Sequence, residues 1–99
     1  MQVQGINLIS LQDSSEGYDA HVSAYVNGEP MLYKIHGVAD IRAIRIDIVQ
    51  YKKADEPSYT ELILHPKHHT ATAVKECVPC AVIAEASKYM ALKYLRRMF

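Results

Sequence analysis

YDAHVSAYVNGEPMLYKIH, residues Tyr18 to His36, is the stretch whose reading decides the fold. Tyr18, Ala20, Val22, Ala24 and Val26 alternate with Asp19, His21, Ser23 and Tyr25, the period of a strand with one buried face. Asn27-Gly28 follows, the dipeptide of a two-residue type I′ turn, in which both central residues need positive φ. A two-residue turn fixes the register. It pairs Val26 with Glu29, Ala24 with Met31, Val22 with Tyr33 and Ala20 with Ile35, and the apolar partners share one face. The opposite face pairs Ser23 with Leu32, His21 with Lys34 and Asp19 with His36. Pro30 falls opposite Tyr25, where its missing N–H suits a sheet edge or a strand end.

Outward from the hairpin, Val3 to Leu11 reads as a first strand with neither face clearly polar. Asp13-Ser14-Ser15-Glu16-Gly17 is a turn by composition. After the break at Gly37-Val38-Ala39-Asp40, Ile41 to Lys53 has two readings. Asp40 could cap a helical turn, since Ile41 and Ile44 are helically spaced. The alternation of Ile44, Ile46 and Ile48 with Arg45, Asp47 and Val49, and their β-branching, favours a strand. Ala54 to Ser58 is a polar loop, and Tyr59 to His65 is a last strand.

From Thr70 onward the residues favour helix. A short segment over about 71–77 and a main helix over about 79–97 meet at Pro79, which is comfortable only in a first turn. Val82, Ile83, Ala86, Met90 and Tyr94 form an apolar stripe, which Leu92, Leu95, Met98 and Phe99 widen. The chain thus reads as one α+β domain over residues 1–99, with strands within 3–65 and helix within about 71–97. Its architecture is an antiparallel meander of about five strands, with one long C-terminal helix packed on one face. The covered face is expected to hold Ile6, Leu8, Val22, Ala24, Tyr33, Ile35, Ile44, Ile46, Ile48, Leu62 and Leu64.

The totals bound the function. Ninety-nine residues with 49% apolar and 22% charged content fit one globular domain, and 11 basic against 11 acidic residues leave no net charge. Nucleic-acid binders draw affinity from a basic excess, so this balance argues against that class. No run approaches the length of a membrane span, and the N-terminus lacks a secretion-signal pattern, so the expected setting is cytoplasmic with reduced thiols.

The face away from the helix is expected to carry Ile9, Leu11, Tyr25, Leu32, Val49, Tyr51, Tyr59 and Ile63 among His21, Lys34, His36, Arg45, Asp47 and Glu61. That is apolar for a surface meant only for water, and tyrosine favours surfaces that become interfaces. The leading reading is a small non-enzymatic protein-interaction module, an adaptor, inhibitor or accessory factor. Its partner would be a protein, most simply a second copy, meeting Tyr25, Leu32, Tyr51, Tyr59 and Ile63.

Two other readings come from different chemistry. Cys77-Val78-Pro79-Cys80 resembles the Cys-x-Pro-Cys centre of thioredoxin-like oxidoreductases, and a thiol near a helix N-terminus has its thiolate stabilised. The resemblance covers four residues. Those proteins set the motif after a parallel strand of a βαβ unit, a context not read here. The same cysteines, with His65, His68 and His69, offer up to five zinc ligands within 16 residues, without a second cysteine pair or a standard finger spacing. The plain alternative makes Cys77 and Cys80 small buried helix residues. Lys88, Lys93, Arg96 and Arg97 could touch phosphate, but they lack interleaved aromatics and also suit the negative end of the helix dipole. Asp19 and His36 could form half of a catalytic set. Register places no serine or cysteine beside them, so a solvated cross-strand ion pair is the expected role.

Overall fold

A computed structural model describes residues 2–39, 43–63 and 78–98. Five strands, β1 (Val3–Asp13), β2 (Gly17–Val26), β3 (Glu29–Ala39), β4 (Ile44–Lys53) and β5 (Thr60–Ile63), precede one helix, α1 (Cys80–Met98). They form a single antiparallel sheet in chain order, and α1 packs across one face. The fold is the α+β meander expected from the sequence. The reading of Ile41 to Lys53 as a strand holds from Ile44 to Lys53. The expected helical segment over 71–77 and the position of Leu64 lie outside the described residues.

The hairpin is as its turn dictates. Asn27 and Gly28 have φ of 52° and 81°. The pairs Val26↔Glu29, Ala24↔Met31, Val22↔Tyr33 and Ala20↔Ile35 all form. The turn is tied to the start of β1, where Gln2 N–H donates to Asn27 Oδ1 (2.9 Å) and Asn27 N–H to the Gln2 carbonyl (2.8 Å). The core joins Tyr18, Ala20, Val22, Ala24, Tyr33, Ile35 and Val49 of the sheet to Val78, Val82, Ala86 and Met90. The helical contribution recurs every four residues, so one narrow stripe is buried. Pro79 stands just before the helix, and its carbonyl accepts from Val82 N–H (3.0 Å) and Ile83 N–H (3.4 Å). Its absent N–H would have had no partner within the helix.

Bulges correct four face assignments. β1 slips against β2 between Gln4 and Asn7 and again between Leu8 and Ser10, which sets Leu11 opposite buried Ala20. β4 slips against β3 between His36 and Gly37, leaving Asp47 as the extra residue. Side-chain phase therefore reverses along β4. Ile44 and Ile46 pack towards the core, but beyond the bulge Val49 pairs with Ile35 and Tyr51 with Tyr33. Leu11, Val49 and Tyr51, expected on the open face, lie under the helix side. Ile48, expected under the helix, pairs with His36 on the open face. On α1, Leu92 and Leu95 are 43% and 49% exposed, so they do not widen the buried stripe.

Tyr33, 2% exposed between Val22 and Tyr51, has its pKa pushed up to about 12 by burial. The phenol in the unfolded chain loses its proton near 10. The folded state thus holds a proton that the unfolded state has lost between about pH 10 and 12. Its contribution is complete below pH 10 and fades as pH rises through 12, a loss of about 3 kcal/mol. Stability measured by urea titration across this window should fall, and Tyr33→Phe should flatten that share of the fall.

Candidate functional site

The open face carries exposed apolar side chains at one end and a polar cluster at the other. Ile9, the unpaired residue of the second β1 bulge, is 55% exposed, and Tyr25 is 53% exposed. The Tyr25 ring lies over Gly5, where an added Cβ would stand 3.3 Å from Cδ2. Gly5 holds φ of 61°, within the first bulge, so glycine is favoured there both by its conformation and by the ring above it. Leu32 is half-buried between Ser23 and Lys52. The Tyr59 ring sits beneath two ammonium groups, Lys34 at 4.4 Å and Lys52 at 5.3 Å from its centroid. Of the five expected interface residues, Tyr25, Leu32 and Tyr59 keep the open face, Ile63 pairs with open-face Ile48, and Tyr51 belongs to the helix side.

The polar cluster centres on His36. Its Nδ1 is 2.6 Å from Asp47 Oδ1, and its Nε2 is 3.3 Å from Ser14 Oγ and 4.0 Å from Asp19 Oδ1. An ionised carboxylate only accepts, so Nδ1 carries a proton. In the neutral ring Nε2 is then the acceptor, and the Ser14 hydroxyl donates to it. Ser14 is itself fixed by its turn. Gly17 N–H donates to Ser14 Oγ (3.1 Å), and Ser14 N–H donates to the Gly17 carbonyl (2.9 Å). Register places no serine beside the Asp19–His36 pair, as expected, but the β1–β2 turn brings Ser14 there. Strand register alone does not place Ser14, because it lies in the β1–β2 turn, and Asp47 arrives only through the β4 bulge. A shallow cavity of about 150 Å³ adjoins the His36 ring, bounded by His21, Lys34, Ile48 and Gln50.

The other candidates separate. Cys80 is an exposed free thiol at the first residue of α1, not the buried helix residue of the plain reading. His65, His68, His69 and Cys77 lie outside the described residues, and among the described residues no three potential ligands converge on a metal position. Lys93 and Arg97 both reach Asp13, Lys93 at 3.2 Å, and so pin the end of α1 to the end of β1. Lys88 is 3.9 Å from Glu85, and Arg96 is exposed. No helix among the described residues is long and apolar enough to cross a membrane. Comparison with protein-family models, with curated proteins and with solved structures finds no match. Geometry and chemistry therefore carry the functional reading.

Proposed function

We propose that the chain is a protein-interaction module whose open sheet face docks a second copy of itself. The observation that carries this reading is the apolar area that face exposes, with complementary charges at its two ends. Lys34 and Lys52 lie towards the Asn27-Gly28 turn with Glu61 near Lys34, and Asp19 and Asp47 lie towards the opposite end with Arg45 beside them, so each end carries both signs. A twofold axis lying in the plane of the interface and running across the strands brings the Lys34–Lys52 end of one face over the Asp19–Asp47 end of the other, the self-complementarity an isologous dimer needs. Exposed Tyr25 and Ile9 and half-buried Leu32 supply apolar area that a lone monomer leaves in water. The same surface offers a nucleic acid no uniform basic stripe, since the two signs balance. A cytoplasmic setting suits the exposed Cys80 thiol.

Sedimentation equilibrium tests this reading. Tyr25→Glu with Leu32→Glu should raise the dimer dissociation constant about thirtyfold or more, the loss typical of a central contact. Lys34→Glu should also weaken association, and adding Asp19→Lys should restore part of it. Unchanged assembly in these variants, with circular dichroism showing a folded chain, would contradict the proposal.

A further inference from the structure

We propose that Ser14, His36 and Asp47 form an acyl-transfer relay in which Ser14 Oγ is a nucleophile toward small carboxylic esters. The inference concerns the monomer, whose open face is uncovered, since face-to-face docking would cover the His36 cluster. Ser14 Oγ stands 3.3 Å from His36 Nε2, and His36 Nδ1 stands 2.6 Å from Asp47 Oδ1. The three side chains therefore make the hydroxyl–imidazole–carboxylate chain that activates a serine, in the correct order of atoms. Each member is held from a different element. Ser14 is fixed by the hydrogen bonds of its turn to Gly17, His36 by the β3 ladder, and Asp47 by the bulge that turns it onto this face. His36 and Asp47 are shielded, with side chains 21% and 23% exposed, whereas Asp19 is 48% exposed and 4.0 Å from Nε2. Asp47 is thus the carboxylate that orients the ring.

The step balances without a cofactor. Ser14 Oγ bonds to the ester carbonyl carbon as its proton passes to His36 Nε2. The tetrahedral intermediate then expels the alkoxide, which takes that proton and leaves as an alcohol. Water attacks the acyl group by the same relay, releasing a carboxylic acid and restoring the Ser14 hydroxyl. Asp47 stabilises the imidazolium formed on the way and is a positioning residue. A cavity of about 150 Å³ adjoins the His36 ring, although Ser14 does not line it. Ile48 gives it an apolar wall.

The test is to treat the native protein, diluted until sedimentation shows only monomer, with a fluorophosphonate, whose phosphorus takes the serine oxygen and expels fluoride, and to map the adduct by peptide mass spectrometry. One adduct is expected, on Ser14. Hydrolysis of p-nitrophenyl acetate should accompany it and stop in the labelled protein. His36→Ala should slow labelling about 100-fold or more, and Asp47→Asn should slow it while leaving the circular dichroism spectrum unchanged. An unlabelled wild-type protein overturns the proposal without recourse to any variant. Labelling at another residue, or labelling of Ser14 at the same rate in folded His36→Ala, overturns it as well.

Discussion

Gly17→Ala should be among the most damaging single-methyl additions in this chain. A Cβ at Gly17 would stand 2.0 Å from the Gly37 carbonyl oxygen and 2.9 Å from the Ala39 nitrogen. Both are backbone atoms of the neighbouring strand, so no rotamer change relieves the clash. β2 and β3 can separate only by giving up the Gly17↔Val38 pairing and the bond from Ala39 N–H to the Glu16 carbonyl (3.0 Å). Overpacking commonly costs 1–3 kcal/mol, and a backbone clash belongs at or beyond the top of that range, about 3 kcal/mol. For a domain of this size that lowers the midpoint of thermal unfolding by roughly 15 °C. Gly28→Ala is the control. Its added Cβ meets nothing within 4 Å, and only its φ of 81° opposes it, a cost of about 1 kcal/mol. Equal losses for the two variants in a thermal melt would contradict the close approach at Gly17.

The second large effect lies where the helix meets the sheet. Met90 is fully buried and sits directly over Gly37, whose missing Cβ would be 2.5 Å from Met90 Sδ. Gly37 lies beside the β4 bulge, so the helix rests on backbone at the place where strand phase changes. Met90→Ala removes a fully buried side chain at the centre of that contact and should cost about 3 kcal/mol. Gly37→Ala pushes a methyl against the Met90 sulphur and against Ile44 Cγ2 at 2.9 Å. The two substitutions are complementary in volume. The double variant should therefore be more stable than the sum of the single losses implies, by about 1 kcal/mol in a urea-denaturation cycle. Strict additivity would mean that Met90 and Gly37 are not in contact.

Much of this architecture is legible in the residues. Asn27-Gly28 specifies a turn with only one register, and that register carries the buried face of β2 and β3 with it. The spacing of Val82, Ala86 and Met90 specifies which helix face is covered. The bulges were harder to read, because a bulge changes phase without changing composition. Ile44, Ile46 and Ile48 suggest unbroken alternation, but Ile48-Val49 is an adjacent β-branched pair, the local sign of a phase change. Missing it moves Val49 and Tyr51 to the wrong face and hides Asp47 from His36. Ser14 escapes a strand-by-strand reading for a related reason. Register arguments compare strand with strand, and this hydroxyl reaches the cluster from a turn, held there by Gly17. The helix end reads as a basic surface, but Lys93 and Arg97 close onto Asp13, a long-range pairing that local charge counting does not reveal.

The most direct measurement of the central claim is a native mass spectrum of the purified protein, taken without chelator, because it reads subunit number and bound metal together. The account predicts a metal-free dimer that dissociates to monomer when Tyr25 and Leu32 are both replaced by glutamate. A wild-type protein that remains monomeric at micromolar concentration, or one that carries zinc as a monomer, would contradict it and move attention from the sheet face to Cys80 and the histidines that precede it.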